Sequence, residues 1–544
     1  MRVTFQIEGG SPVTIECNLG DNLLELARRA NVAIDAPCSG NGSCGKCRIK
    51  LIEGELETIK SRHISDEEFE AGWRLSCNCK VMSDCTVMVP DIASAYQSRM
   101  KTADLSSPKE IAIFEDAKAD LLASGIAFDN NFHALDVVME APTLDDTMPD
   151  NERLTWGIQS VIEVENVHIP FTVMVKLAST LRAHDFHVCV KGCWEGDTFY
   201  CMEICDPNDT AIVGCAIDIG TTTVTMVLTD LTSGKLLAKG SSGNGQIRYG
   251  ADVINRIIEQ GRSGGKKKLQ DAIIKETLSP IIANLCKTAD ISCRSILRLS
   301  VGANTTMNHL FLGVDAEPVR MEPYIPSFFS WEGLLAGDLK LPANPLAPVA
   351  IAPNIGSYVG GDITAGTLAA GLWDKDEMSL FIDLGTNGEL VFGNRDFLMS
   401  CACSAGPAFE GGDISCGMRA TDGAVEACVI DKATMEPTLT VIGDEGQKVV
   451  GICGSGIIDI ISELFRCGII NARGLFAREG DRVKRDAHGM GRYIIATAEE
   501  SETGREVSIN EVDIDNFIRA KGAIYSGIDT LLQSVDMTPD CIDK

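Results

Sequence analysis

The sequence is poor in positive charge. Its 544 residues include 48 lysines and arginines against 77 aspartates and glutamates, which gives a formal net charge of −29 at pH 7. A surface with this excess of negative charge repels phosphate backbones and anionic lipid headgroups. The composition therefore argues against nucleic acid and membranes as partners and favours small molecules or another protein.

Long apolar runs are also lacking. No uninterrupted apolar stretch reaches the roughly 18 residues that a membrane-spanning helix needs, and residues 1–7 read as a short alternating strand with no signal-peptide core behind them. The 21 cysteines then indicate a cytoplasmic protein whose thiols serve in packing or as metal ligands. The chain is also too long for one hydrophobic core, so we expect three or four domains.

Four cysteines near the N-terminus have the spacing of a metal site. Cys38, Cys44 and Cys47 form a C-x5-C-x2-C motif in a glycine-rich loop, and Cys77 follows in the string Arg-Leu-Ser-Cys. Backbone N–H groups of such a loop stabilise the sulfurs of an iron–sulfur cluster. Zinc is the competing metal, but a zinc site usually offers two C-x2-C pairs and this region has one. The motif resembles a [2Fe–2S] ferredoxin with five residues in the first gap.

The fourth ligand is ambiguous from the sequence, because Cys77 and Cys79 are both available. The Arg-Leu-Ser-Cys context resembles ferredoxins at Cys77. We therefore expect Cys79 and Cys85 to be packing thiols.

A second group of cysteines follows a C-x3-C-x7-C-x3-C pattern: Cys189, Cys193, Cys201 and Cys205. The last two share one face of a predicted strand at even spacing, so we interpret the group as small buried side chains rather than a second metal site. Around it we predict a small α/β domain with strands at 135–139 and 173–175 and a helix that begins at Asp150.

Two copies of one motif organise the rest of the chain. One predicted apolar strand leads into the segment 218–223, Asp-Ile-Gly-Thr-Thr-Thr, and another leads into the segment 383–388, Asp-Leu-Gly-Thr-Asn-Gly. Glycine lets backbone N–H groups approach an anion, and hydroxyl groups add donors. An ordinary hairpin is the alternative for either copy alone. The internal repeat resembles the actin-like ATPase superfamily, in which two related halves bind ATP and Mg²⁺.

Further strings in the second half follow the pattern of one family: residues 358–366, 414–420 and 451–459. With the ferredoxin motif and the two loops, they resemble the reductive activators of corrinoid proteins from anaerobic methyltransferase systems, over nearly the whole chain. The resemblance implies a multidomain α/β protein. Its expected parts are a β-grasp ferredoxin-like domain (1–90), a linker (91–108), a small α/β middle domain (109–210) and a duplicated actin-like (RNase H-like) ATPase domain (211–544).

The resemblance also implies a function. Members of this family use ATP to return an oxidised Co(II) corrinoid to Co(I), so the protein is expected to be an enzyme with a [2Fe–2S] cluster, ATP and Mg²⁺ as cofactors. The implied partners are a corrinoid protein of a methyltransferase system and an upstream low-potential electron donor, and a homodimer is left open. An ATP-gated electron donor to another low-potential enzyme and a nucleotide-responsive binding protein remain as alternatives; a sugar kinase, which needs no iron, is a distant third.

Residue roles follow from the same resemblance. Cys38, Cys44, Cys47 and Cys77 are expected to hold the cluster. Asp218 and Asp383 are expected to organise Mg²⁺, and Asp362 to orient the attacking water. The residues expected to bind the nucleotide are Gly220, Thr221, Thr222, Thr223, Gly385, Thr386, Asn387, Gly388, Gly454, Ser455 and Gly456.

The C-terminal end departs from the actin-like pattern, in which a final strand and a glycine-rich turn into a helix hold the adenosine. This sequence stops at Lys544, shortly after a predicted helix at 512–532. We therefore expect either a fragment or an incomplete nucleotide pocket, with weak ATP binding, an exposed sheet edge and a tendency to aggregate.

Overall fold

The computed structural model of the protein describes residues 1–7, 12–30, 32, 34, 47–61, 63–90, 101–103, 108–128, 131–250, 252–385, 387–410, 414–418, 420, 422–443, 446–486 and 489–544. The chain divides into two units, each built from separated segments. Met1–Arg99, Gln246–Glu259 and Leu372–Lys544 form the first unit, and Met100–Gly245 with Gln260–Gly371 form the second. Within these described ranges, no helix is both long and apolar enough to span a membrane.

The N-terminal part of the first unit is a β-grasp. Its sheet has the order β2-β1-β7-β3-β5, with β1 and β7 parallel and the other neighbours antiparallel. Asn22 caps the helix that packs on the sheet, and Leu23, Leu24, Leu26 and Ala27 are its buried side. The strands are β1 (Arg2–Ile7), β2 (Val13–Glu16), β3 (Arg48–Glu53), β4 (Leu56–Thr58), β5 (Trp73–Leu75), β6 (Cys79–Val81) and β7 (Cys85–Val89), and the helices are Leu23–Arg29 and Asp66–Glu70.

The region predicted as a linker, 91–108, contains a strand. β8 (Lys101–Ala103) pairs antiparallel with residues 239–241 and becomes the edge of the large sheet of the second unit. Strand pairing uses backbone hydrogen bonds, which any sequence can supply, so an unpatterned polar sequence did not reveal it. The helix Pro108–Ala123 follows.

The middle domain has a four-stranded sheet of order β10-β12-β11-β9. Its strands are β9 (Phe132–Val138), β10 (Asn166–His168), β11 (His187–Glu195) and β12 (Thr198–Cys205), and its helices are Asp150–Val161 and Phe171–Ala183. The predicted strand at 173–175 is wrong, because these residues lie in the second helix. Val173, Leu177 and Leu181 are its buried residues, and their spacing of four is helical, a signal that a three-residue apolar window could not contain.

The large sheet of the second unit has the order β17-β16-β13-β14-β15-β8. β13, β14 and β15 form an antiparallel meander, and β16 and β17 extend it in parallel from β13. This is the actin-like arrangement. The strands are β13 (Val213–Ile219), β14 (Thr223–Asp230), β15 (Leu236–Gly243), β16 (Ile296–Ala303) and β17 (Val349–Ile351), and the α-helices are Gly265–Ile273, Ser279–Thr288, Thr305–Leu312, Glu317–Arg320, Ala336–Leu339 and Gly361–Ala370.

The C-terminal part of the first unit repeats the antiparallel meander as β18-β19-β20. Two further three-stranded sheets have the orders β22-β21-β23 and β24-β25-β26. The strands are β18 (Ser379–Leu384), β19 (Gly388–Gly393), β20 (Leu398–Cys403), β21 (Ala424–Ile430), β22 (Pro437–Val441), β23 (Gly451–Ile452), β24 (Val483–Arg485), β25 (Gly491–Ala496) and β26 (Val507–Asn510), and the helices are Val253–Gln260, Gly454–Arg466 and Glu511–Gln533. Within β18, the Leu380 N–H donates to the carbonyl of Lys544 (2.9 Å), so Lys544 lies beside this strand.

Candidate functional site

Two of the four predicted cluster ligands lie side by side in the β-grasp domain. Cys47 immediately precedes β3 and Cys77 lies in a 3₁₀ turn after β5, and their sulfurs are 3.2 Å apart. Both side chains are buried. Cys38 and Cys44 lie outside the described residues.

Hydrogen bonds tie the two cysteine-bearing segments together. The Ser76 N–H donates to the Cys47 carbonyl (2.8 Å), and the Asn22 side-chain amide donates to the Cys77 carbonyl (2.8 Å). Ser76 Oγ is buried without a hydrogen-bond partner in the described part of the domain. A buried unpartnered donor next to two converging sulfurs fits a cluster whose negative charge needs hydrogen bonds.

Cys79, the competing fourth ligand, is turned into the core. Its thiol donates to the Leu75 carbonyl (3.2 Å), and the side chain is fully buried. Burial raises the pKa of Cys79 to about 11 and the pKa of Cys85 also to about 11. That Cys77 rather than Cys79 is the fourth ligand stays a prediction.

The second cysteine group is spread over the middle domain. Cys189 and Cys205 face each other across β11 and β12, whereas Cys193 faces Tyr200 and Cys201 lies in the hydrophobic core. Burial raises the pKa of Cys201 to about 12. Cys189 and Cys201 are buried, whereas Cys193 and Cys205 are partly exposed. Within the described ranges, no three histidine, cysteine or acidic side chains converge as a metal site.

The first phosphate loop, residues 218–223, connects β13 to β14. Asp218 lies near the end of β13, where its parallel neighbour in β16 is Gly302. A Cβ atom on Gly220 would lie 2.6 Å from the Thr223 carbonyl, so only glycine allows this tight turn. The Asn304 side-chain amide donates to Thr221 Oγ1 (3.0 Å). The turn therefore lies at the end of two interior strands of the sheet, and Thr221 is held in place by Asn304.

Asp362 lies at the same end of the large sheet. It lies in the first turn of the helix Gly361–Ala370, with its carboxylate accepting the Ile363 N–H (2.9 Å). Its Cα is 3.8 Å from the position that a Cβ on Gly302 would occupy. Since Gly302 is the strand neighbour of Asp218, the structure brings the two predicted aspartates to one end of the sheet.

The second phosphate loop, residues 383–388, connects β18 to β19 in the first unit. Asp383 is directly opposite Glu389 in the antiparallel pair, and the Gly385 N–H donates to the Asn387 carbonyl (3.0 Å). Thr386 lies outside the described residues. Burial, followed by the charge of Glu389, raises the pKa of the Cys403 thiol. Two facing carboxylates repel each other unless a proton or a cation intervenes.

The glycine-rich helix start at 454–456 also lies in the first unit. The thiol of the N-cap, Cys453, is within hydrogen-bond distance of Ser455 Oγ (3.3 Å) and does not cap the backbone N–H groups of the first turn. Cβ atoms on Gly454 and Gly456 would collide with the carbonyls of Phe409 and Val425, respectively. Both glycines are therefore required for close packing of the helix start against these two carbonyls, independently of any role in nucleotide binding.

Three residues of these sites were not assigned a role from the sequence: Asn244, Asn304 and Glu389. Asn304 stands immediately before a helix, where an asparagine is a common cap, so that signal was available. Glu389 lies six residues after Asp383. Once the turn between β18 and β19 is known, the register of this antiparallel pair places the two residues opposite each other. Asn244 lies in the glycine-rich string Ser-Gly-Asn-Gly-Gln at 242–246, between the two phosphate loops, so a signal for its segment was available as well.

Family models cover most of the chain. They match a 2Fe-2S iron-sulfur cluster binding domain at 6–82, the RACo linker region at 122–206, the RACo middle region at 213–375 and the C-terminal, ASKHA domain of RACo at 377–544. A solved structure described as a reductive activator for a corrinoid, iron-sulfur protein is 36% identical, with a TM-score of 0.67, and the match covers 100% of this chain and 85% of that one. The chain belongs to the RACo family.

Curated relatives match this chain over shorter alignments. The corrinoid activation enzyme RamQ of Eubacterium limosum is 40% identical over 332 residues, which are 59% of this chain and 54% of RamQ. One component of the Na⁺-translocating NADH-quinone reductase of Pseudomonas aeruginosa is 33% identical over 91 residues, or 16% of this chain and 22% of that component. The chain thus spans about half the length of RamQ and less of the reductase component.

Proposed function

We propose that this RACo family protein uses ATP to drive the reduction of a Co(II) corrinoid, carried by a partner protein, to Co(I). The observation that carries the proposal is the combination, in one chain, of a β-grasp domain with converging Cys47 and Cys77 and two Asp-x-Gly-Thr turns at strand ends. The names of RamQ and of the solved relative, which describe corrinoid activation and reductive activation, support it.

For the redox centre, we assign Cys38, Cys44, Cys47 and Cys77 as the ligands of a [2Fe–2S] cluster. When bound, such a cluster supplies one electron at about −400 mV in the plant type. Asn22 and Ser76 hold the two described ligand segments in place, and burial of the thiols keeps water away from the sulfurs.

For the nucleotide, each phosphate loop supplies a carboxylate and a set of donors. Asp218 and Asp383 organise Mg²⁺ through water. The segments 221–223 and 386–388 and the helix start at 454–456 donate hydrogen bonds to phosphate oxygens. Asp362 orients the attacking water, which its position beside Gly302 and the first loop supports.

The proposed reaction moves one electron and no proton. Co(II) of the partner gains the electron, and an upstream low-potential donor replaces it. The family resemblance implies that the reduction potential of the Co(II)/Co(I) couple is lower than that of the donor. For a one-electron transfer, every step of about 59 mV in this difference makes the equilibrium constant tenfold less favourable. ATP supplies the drive by favouring the complex in which Co(II) is easier to reduce.

The surroundings of this reaction follow from the same assignment. The excess of acidic residues favours a protein carrier of the corrinoid over nucleic acid or membrane as the partner. We place the protein in the cytoplasm, and we leave a homodimer as a proposal to be tested by its mass in solution.

The decisive experiment compares Asp383→Asn with wild type under anaerobic conditions. The variant keeps the size of the side chain but removes the charge that holds Mg²⁺, so ATP-dependent Co(I) formation should be lost. Reduction of the cluster by dithionite should stay unchanged, because the β-grasp domain is a separate part of the chain. Asp515→Asn, at an exposed helix position paired with Arg519, is the matched control and should behave as wild type.

Three outcomes would contradict the proposal. Co(I) formation by Asp383→Asn at the wild-type rate would remove the assigned role of the second loop. Equal Co(I) formation by wild type with and without ATP would mean that nucleotide does not drive the step. Electron transfer to other low-potential enzymes, with no reduction of any corrinoid protein, would favour the alternative acceptor class.

A further inference from the structure

The first phosphate loop is held from behind by Asn244. The Asn244 side-chain amide donates to the Gly220 carbonyl (2.8 Å), and its backbone N–H donates to the Thr222 carbonyl (2.9 Å). The side chain is 1% exposed, so both bonds are shielded from water. One residue therefore binds two of the carbonyl oxygens of the turn.

This arrangement determines which polar groups the turn offers to a ligand. A carbonyl oxygen that faced a phosphate would repel it, and a glycine peptide such as that of Gly220 reorients easily because it has no Cβ. Asn244 binds the carbonyls on its own side, and a peptide N–H points opposite to its carbonyl. The N–H groups of the turn are thereby directed away from Asn244, which is the polarity that an anion requires.

Asn304 acts on the hydroxyl group of the same turn. Its Oδ1 accepts the Met307 N–H (2.9 Å) and so caps the helix Thr305–Leu312. Because Oδ1 is the cap acceptor, the other end of the amide must be the donor, and it reaches Thr221 Oγ1 (3.0 Å). Thr221 Oγ1 therefore accepts a hydrogen bond from Asn304.

Neighbouring residues hold the two asparagines in place through hydrogen bonds and close contacts. The next residue, Gly245, donates its N–H to Thr277 Oγ1 (3.1 Å), and a Cβ on Gly245 would lie 2.9 Å from that oxygen. Thr277 belongs to a π-helical turn, Ile274–Leu278, a feature that often marks functional sites. Met307 contacts both asparagines, through its N–H with Asn304 and through its sulfur with the Asn244 amide (3.7 Å).

We propose that Asn244 and Asn304 are positioning residues of the nucleotide site, which bind the acceptor groups of the first phosphate loop so that its donors face the phosphates of ATP. The proposal rests on the proposed function, in which this loop binds ATP. Neither asparagine needs to touch the nucleotide.

Asn304→Ser separates this role from helix stability. Serine caps a helix about as well as asparagine, but it is too short to donate to Thr221. We expect Mg-ATP to bind about tenfold more weakly, as measured by calorimetric titration of the full chain, because a buried hydrogen bond of this kind corresponds to about that factor. Asn304→Asp, which also caps well but adds a negative charge, should bind still more weakly. The visible absorbance of the cluster should stay at its wild-type value, and the small fall in melting temperature from the lost hydrogen bond should match that of the control variant Asn510→Ser.

Asn510→Ser is the matched control. Asn510 caps the helix Glu511–Gln533 in the same way, but its side-chain amide donates to Ser415 Oγ (3.0 Å) rather than to a phosphate loop, so the same exchange should leave ATP affinity unchanged. Asn244→Ala should also weaken ATP binding about tenfold; if it does not fold, Asn304→Ser decides the matter. Equal ATP affinity for wild type and Asn304→Ser would overturn the inference alone. No Mg-ATP binding by wild type at about millimolar concentration would overturn the proposed function, and this inference with it.

Discussion

At the scale of single residues, side-chain direction separates two neighbouring cysteines that the sequence presents as equivalent. Cys77 places its sulfur 3.2 Å from that of Cys47, whereas the Cys79 thiol donates to the Leu75 carbonyl inside the core. Both side chains are buried, so burial alone does not distinguish them. They point in different directions because Cys77 lies within the 3₁₀ turn Ser76–Asn78, whereas Cys79 is the first residue of β6.

Serine exchanges test this difference directly. Cys77→Ser should reduce or shift the visible absorbance of the anaerobically reconstituted cluster, because an alcohol replaces a proposed thiolate ligand. Cys79→Ser should leave the spectrum close to wild type and lower only the melting temperature. The opposite pair of results would make Cys79 the fourth ligand.

His309 is a second residue whose surroundings set its protonation. The ring is fully buried, its Nδ1 donates to the Thr305 carbonyl (2.7 Å), and its Nε2 accepts the Ser327 N–H (3.1 Å). Burial lowers the pKa of His309 from the ordinary value of 6.5. Below about pH 6.5, the unfolded chain therefore binds a proton that the folded chain does not, and the free energy of unfolding decreases as the pH falls.

We expect the urea midpoint of wild type to fall more steeply between pH 7.5 and pH 5.5 than that of His309→Gln, which cannot titrate. Other titrating groups are common to both proteins and cancel in the comparison. Parallel pH profiles would show that His309 already binds its proton in the folded state.

At the scale of elements, close backbone approach explains why the helix Gly361–Ala370 begins with glycine. A Cβ on Gly361 would collide with the Ala352 carbonyl, and a Cβ on Gly360 would collide with the backbone of Asn304. The helix start therefore lies directly against the loops that follow β16 and β17. Asp362 owes its position near the first phosphate loop to this contact.

Gly361→Ala should lower the melting temperature and displace Asp362, because backbone atoms cannot yield as a flexible side chain can. Gly522→Ala is the contrasting exchange, since Gly522 lies within the helix Glu511–Gln533 with open space at its Cβ position. There, alanine should stabilise the chain by about 0.5–1 kcal/mol. Thermal unfolding of both variants measures the two effects, and an unchanged melting temperature for Gly361→Ala would contradict the close contact.

At the scale of the whole molecule, the net charge of −29 is the dominant long-range interaction. Like charges repel more strongly in the folded chain, where they lie closer together. Salt screens this repulsion over a distance that falls from about 30 Å at 0.01 M to about 8 Å at 0.15 M ionic strength. We therefore expect the melting temperature to rise when NaCl is raised over this range. A parallel series in KCl controls for ion identity, and a falling melting temperature would mean that local ion pairs outweigh the overall repulsion.

The division into two units is also a property of the whole molecule, and no single segment of the sequence predicts it. The first unit is assembled from three stretches and the second from two, with chain crossings at 99/100, 245/246, 259/260 and 371/372. The sequence motifs predicted a ferredoxin-like part, a middle domain and a duplicated ATPase, and the fold agrees with that description. The assignment of 246–259 to the first unit depends on long-range packing, which no local pattern records.

The sequence by itself determined the features that depend on neighbours within a few positions. The capped helix at Asn22, the strands that end at the Asp-x-Gly-Thr turns and the long C-terminal helix are of this kind, because turn geometry, caps and periodicity are local properties. The resemblance to the RACo family likewise rests on strings of adjacent residues.

Tertiary structure alone decided which distant groups meet. Asn304 reaches Thr221 across 83 positions of sequence, and Glu389 faces Asp383 only because β18 and β19 pair in that register. The helix at residues 171–183, mistaken in part for a strand, shows the same limit, since a short apolar run fits either element until its buried face is known. Hydrogen-bond partners and strand registers depend on how remote segments of backbone are brought together, and a side chain carries no local record of the partner it will meet.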